Sequence, residues 1–151
     1  MIKPIIIDTC VLSKTFDKNN DGYKEFRPVL DALMRGKCTM LMGGTKYLGE
    51  VAKLKRLLTL INKMKRSSMI RRLDDQEVDM NQSRVEQLIT HPDFDDPHLP
   101  AMAIVGNCHL ICSDDRRCMK HIKNRVLYPT HFRTPRFYSR EKHKKLLYDK
   151  W

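Results

Sequence analysis

Residues 95–115, DDPHLPAMAIVGNCHLICSDD, spell out a helix, a strand and the start of a second helix. Asp96-Pro97 reads as a helix start, with Asp as N-cap and proline at the first helical position, where its missing N–H costs nothing. Pro100 still falls within the first turn. Leu99, Met102, Ala103 and Val105 supply a buried face, and Gly106-Asn107 ends the helix. HLICS (109–113) follows as an apolar strand, and Asp115 opens a helix reaching Lys123. A helix feeding directly into a buried strand is half of a β-α-β unit.

The rest of the chain supplies matching pieces. Residues 2–7 are β-rich and uninterrupted, as a strand buried on both faces reads, and Asp8 closes them. Glu25–Met34 has helical spacing, with Phe26, Val29, Leu30 and Leu33 on one side and Gly36 as a stop. CTMLM (38–42) is a second strand, closed by Gly43-Gly44. A long helical run covers Thr45–Met64, residues 70–80 are ambiguous, Ser83–Ile89 is helical, and Val126–Tyr128 makes a last strand before Pro129. Strands alternating with helices predict an α/β fold, a three-layer α/β/α sandwich with a mostly parallel central sheet. Such sheets bind ligands beyond the carboxyl ends of their strands, where Asp8 and Asp115 stand.

Glu50 is the acid whose placement is least ordinary. Along a continuous helix at 100° per residue it falls inside the apolar arc of Val51, Leu54, Leu57, Leu58 and Ile61, while Lys53, Lys55 and Arg56 fall outside. An acid on a buried face is costly unless it is paired or binds a cation. Asp8, Asp96 and Asp115 each have an ordinary explanation as turn or cap residues. Brought together at one sheet edge, the four acids would repel and raise each other's pKa unless a metal neutralised them, which predicts Mg²⁺ or Mn²⁺.

The chain has 151 residues and a formal net charge of +11, with no linker-like stretch, which predicts one core. The charge is blocked: nine basic residues and one acid over 46–72, eight acids and Arg84 over 74–96, then twelve basic residues and two acids over 116–151. The last block is interleaved with aromatics and resembles a surface that tracks a phosphate backbone. No apolar run approaches the ~20 residues of a membrane span, and the N-terminus lacks the apolar core of a secretory signal, so a cytoplasmic location is expected. Five cysteines, an odd number set in or beside apolar runs, fit reduced thiols.

These motifs resemble those of the PIN-domain family, small metal-dependent nucleases that include the toxins of many bacterial toxin–antitoxin pairs. IIIDTCVL resembles the opening strand with its first acid at Asp8, and YLGEVAKL the helix with the second acid at Glu50. The 95–115 stretch resembles the family's most specific segment, giving Asp96 as third acid, Ser113 as hydroxyl and Asp115 as fourth acid. VLYPTHF resembles the last strand. Cys10 stands where family members often carry Asn or Ser.

The resemblance covers residues 2–132 and leaves a basic tail, 133–151, expected to be helical and packed on the same domain. It implies a divalent-metal-dependent endoribonuclease using Asp8, Glu50, Asp96 and Asp115, supported by Thr9, Asp95, Ser113 and Asp114. Lys46, Lys53, Arg56, Arg116, Arg117, Arg133 and Arg136 are candidate contacts to nucleic acid. RNA is the implied substrate, with DNA as the alternative. An antitoxin or other inhibitory protein and a homodimer are further expectations. The rival reading is a nucleic-acid-binding module of the same fold without catalysis. A phosphotransfer hydrolase would want a second Asp two residues after Asp8, where Cys10 sits.

Overall fold

The computed structural model describes residues 2–149. Its centre is β1 (Lys3–Ile7), whose Ile5, Ile6 and Ile7 have no exposed surface. β1 pairs in parallel with β2 (Cys38–Met42) on one side and β4 (Leu110–Cys112) on the other. β3 (Ile70–Arg72) flanks β2 and β5 (Arg136–Tyr138) flanks β4, giving the all-parallel order β3-β2-β1-β4-β5. The predicted α/β fold with a parallel sheet is therefore present.

The chain steps outward from β1 through β2 to β3, then crosses back to β4 and β5. The direction of stepping reverses between β1 and β4. Because parallel crossovers are right-handed, the connections before and after the reversal cover opposite faces of the sheet. The first set is α1 (Leu12–Phe16), α2 (Tyr23–Met34), α3 (Thr45–Ala52) and α4 (Leu58–Arg66). The second is α5 (Asp75–Leu88), α6 (His98–Gly106) and α7 (Arg116–Ile122). α6 is apolar on all sides, as a helix sandwiched between the sheet and α5 must be. The crevice where such a sheet reverses is its natural binding position, at the carboxyl ends of β1 and β4.

Four elements differ from the sequence expectation. The helical run 45–64 breaks at Leu54 (φ −90°, ψ 65°) and passes through a 3-10 turn, Lys55–Leu57, before α4 begins. The ambiguous stretch resolves into β3 and the start of α5. Residues 126–128 are not a strand: Arg125–Leu127 form a 3-10 turn in which the Asn124 side chain accepts a hydrogen bond from the Val126 N–H at 3.1 Å. That local bond competes with a strand ladder. The edge strand comes instead from Arg136–Tyr138, so the sheet takes its fifth strand from beyond residue 132. The following 3-10 turn, Glu141–Leu147, buries Leu147 and receives the Lys3 ammonium on the Leu146 carbonyl at 2.6 Å.

Much of the acidic block is spent on helix ends. Asp74 caps α5 through the Glu77 N–H, and Asp75 accepts the Gly44 N–H at 2.9 Å. Asp79 accepts both the N–H and the hydroxyl of Thr45, at 2.9 and 2.6 Å, holding the first turn of α3. Asp79→Ala is therefore expected to lose about 1 kcal/mol, the worth of a capping interaction, in a urea titration. An unchanged midpoint would mean that water replaces the cap at no cost.

Candidate active site at the sheet reversal

The β1 end is fixed first. The Asp8 N–H bonds to the Cys112 carbonyl at 2.9 Å, so the acid leaves the sheet beside β4. Its side chain is 2% exposed, and Oδ2 accepts the Ser113 hydroxyl at 2.8 Å. Burial raises the Asp8 pKa, opposed first by that hydroxyl. The same Ser113 oxygen accepts the Asp115 N–H at 3.1 Å, tying the turn after β4 to the turn after β1.

α3 is docked by Tyr47, a fully buried ring whose hydroxyl donates to the Ile7 carbonyl at 2.7 Å. Glu50 lies three residues on, on the same side of the helix. Its Oε1 accepts the Thr9 hydroxyl at 2.9 Å, and its side chain keeps 30% of its surface open. Glu50 thus faces the crevice. The placement does not come from one continuous helix, since Leu54, Leu57 and Ile61 lie beyond the break; Tyr47 and Val51 are the residues that bury this face of α3.

Asp96 corrects a second expectation. α6 begins at His98 with Pro97 as N-cap, and only the backbone carbonyl of Asp96 engages the helix, accepting the Leu99 N–H. The carboxylate caps nothing. It is half-buried, and its pKa is pushed up to about 6 by burial and then by the charge of Asp8. Asp115, in contrast, is a true cap: Oδ1 accepts the Cys118 N–H of α7 at 3.3 Å. Burial, followed by the charges of Asp96, Asp115 and Asp95, pushes the Cys118 thiol up to about 12. That thiol lies among the acids of both loops.

The doublets separate by partner. Asp114 is ion-paired with Lys14 and lies 3.6 Å from the Cys10 thiol. Asp95 is exposed, and its carbonyl receives the Lys46 ammonium. The positive charge of Lys46 lowers the pKa of both Glu50 and Asp96.

The tightest grouping includes a residue that sequence reasoning missed. Glu50, Asp96 and His98 each present a ligand atom within 4.8 Å of the others, whereas Asp8 and Asp115 stand outside that group. A second group, Asp95, Asp96 and Cys118, shares Asp96. Glu50 is held below the usual carboxylate range, first by the His98 imidazole and also by Thr9, against the opposing effect of burial. At 3.5 Å the imidazole contact is too long for a well-formed hydrogen bond. The available signal was the histidine two residues after Asp96, on a helix with no polar face.

The candidate phosphate contacts do not gather in one place. Exposed Arg116 and Arg117 open α7 directly after Asp115, and Lys46 reaches the Asp95 loop. Lys53 is exposed where α3 ends, and Arg56 pairs loosely with Asp17 at 3.9 Å. Arg133 and Arg136 lie where β5 begins, at the amino ends of the strands, whereas the acids lie beyond the carboxyl ends.

Compared with protein-family models, with curated proteins and with solved structures, the chain matches none. Among the described residues, no helix is long and apolar enough to cross a membrane.

Proposed function

We propose that this protein is a divalent-metal-dependent nuclease that hydrolyses RNA phosphodiester bonds, as the PIN-like motifs imply. One observation carries the reading. Asp8 and Asp96 come from different loops yet share a pocket in which, among the described residues, neither is ion-paired with Lys or Arg, and burial raises the pKa of each. Evolution of a stable fold would pair or remove such charges, whereas a cation site needs them.

Asp8, Glu50 and Asp96 offer carboxylate oxygens, which suit Mg²⁺ or Mn²⁺; when bound, such an ion supplies charge neutralisation at phosphate oxygens and a water of lowered pKa. The remaining work falls to side chains. The Ser113 hydroxyl fixes the orientation of Asp8, and the Thr9 hydroxyl fixes that of Glu50. Asp115 holds the start of α7, which presents Arg116 and Arg117 to the phosphates flanking the scissile bond. Burial of β1, β4 and α6 behind the acids supplies a rigid wall, so the carboxylates need no reorganisation on binding.

Incubating the purified protein with a fluorogenic single-stranded RNA tests the proposal. Cleavage is expected with Mn²⁺ or Mg²⁺, no cleavage in EDTA, and loss of at least about 100-fold in Asp8→Asn, with RNA binding retained. Cleavage that persists in EDTA would sink the metal mechanism. Salt-sensitive RNA binding without product under any metal would instead make this a binding module. A DNA substrate cut in preference to RNA would overturn the choice of substrate.

A further inference from the structure

His98 is a fully buried polar side chain without a well-formed hydrogen bond. Neither ring nitrogen has a hydrogen-bond partner among the described residues, and the side chain has no exposed surface. A structural histidine in a core donates to a carbonyl or carboxylate and accepts from a hydroxyl or amide; leaving such a group unsatisfied costs about 1–3 kcal/mol. His98 does neither. Its ring is held beside Tyr47, with centroids 6.2 Å apart, and Nε2 is turned toward Glu50 Oε1.

That orientation places a nitrogen donor in the acidic pocket. Ligand atoms of Glu50, Asp96 and His98 lie within 4.8 Å of one another, close to the span that donors of a single ion cover when each bond is about 2.1 Å long. The 3.5 Å separation of Nε2 and Oε1 is too long for a good N–H···O bond and ordinary for two ligands of one ion.

We infer that His98 is a nitrogen ligand to the cation held by Glu50 and Asp96, and that it makes the site select a first-row transition ion such as Mn²⁺ over Mg²⁺. The inference rests on the metal-dependent reading above and deepens it. Mg²⁺ prefers oxygen and gives up its waters reluctantly, so an imidazole adds little to its binding. First-row transition ions accept imidazole nitrogen readily, so the same group adds affinity for them. The histidine therefore acts on metal choice, with its position set by the first turn of α6 rather than by a mobile loop.

The test measures the metal directly and needs no turnover. Mn²⁺ is bound to the full chain and the electron-spin-echo modulation from ligand ¹⁴N is recorded, followed by competition with Mg²⁺. The expected result is one imidazole nitrogen coupling and retention of Mn²⁺ against a hundredfold excess of Mg²⁺. In His98→Gln the coupling is expected to vanish and Mn²⁺ binding to weaken at least tenfold, with Mg²⁺ binding changed less than threefold. Bound Mn²⁺ without nitrogen coupling would overturn the role of His98 and leave the metal-dependent reading standing. So would a coupling that survives in His98→Gln. Failure to bind Mn²⁺ at all would overturn both. If the variant does not fold, the wild-type spectrum still decides, because His98 is the sole histidine in either metal-holding group among the described residues.

Discussion

Asp96→Asn is expected to reduce RNA cleavage by at least about 100-fold while making the metal-free protein more stable at neutral pH. The two effects have one cause. Asp96 is half-buried and faces the charge of Asp8, so its ionised form is disfavoured in the fold and its pKa stands at about 6, against an ordinary value of 3.8. An acid whose pKa is raised on folding binds its proton more tightly in the native state than in the unfolded one. Stability then falls as pH rises through the window from about 4 to 6, and the full penalty is present at pH 7.5. Asparagine removes the charge and the penalty together. Solvent screening of a half-buried group keeps the gain on the order of 1 kcal/mol.

The informative quantity is the difference in melting temperature between variant and wild type in EDTA. Subtracting the two cancels the shared contributions of His121 and His143, whose pKa values burial lowers. The variant should melt higher at pH 7.5, with the gap narrowing below pH 6 and closed near pH 4. Saturating Mn²⁺ should reverse the order, because ligand binding to the native state stabilises only the protein that holds it. A variant less stable than wild type at pH 7.5 in EDTA would mean that Asp96 is a structural residue and not a charge held for a ligand.

Most of this fold was legible because its strands are short, apolar and closed by conspicuous residues. Asp8 and Gly43-Gly44 mark the ends of β1 and β2, and Asn107 adopts the left-handed conformation expected just beyond α6. The break at Leu54 was hidden because Leu54, Leu57 and Ile61 keep helical spacing across it, and periodicity cannot register a single 3-10 turn. β5 was hidden for the opposite reason. Arg136–Tyr138 is three residues long, too short for a pattern, while the more β-like Val126–Tyr128 has its backbone claimed by Asn124. At the site, position after a strand placed Asp8 at the sheet's carboxyl edge, while Glu50 was singled out by a helical arc that the break at Leu54 interrupts. Whether an acid serves as a cap was not legible: Asp115 caps α7 and Asp96 caps nothing, though both precede helices in similar sequence. That distinction depends on where the first N–H groups point.

The charge blocks were also partly misleading as a guide to a binding surface. Arg71 donates to the Gly106 carbonyl, Arg84 to that of Leu127, and Arg125 to those of Pro129 and Thr130. These cations tie elements together. The exposed arginines at the start of α7 remain beside the acids, so the surface relevant to a polyanion is narrower than a net charge of +11 suggests.

Gly44→Ala is expected to lose about 2–6 kcal/mol. Two independent terms add. Gly44 has φ +87° with ψ 146°, a region essentially confined to glycine, where an L-residue costs about 1–3 kcal/mol. A Cβ built there would also stand 2.5 Å from Cγ1 of Val78, a fully buried side chain of α5, and overpacking of this kind costs about 1–3 kcal/mol. For a domain of this size the sum corresponds to a fall of roughly 4–24 °C in melting temperature. The same residue is the turn between β2 and α3, and its N–H is held by Asp75. Relieving the overlap must shift the start of α3, and with it Tyr47 and Glu50. Mn²⁺ affinity should therefore drop in whatever fraction of the variant folds. Gly49→Ala is the control, on the same helix one residue before Glu50, with nothing within 4 Å of the added methyl. It should gain about 0.5–1 kcal/mol from helix propensity and leave metal affinity unchanged. Equal melting temperatures for the two variants would show that the turn into α3 is not what positions the acid.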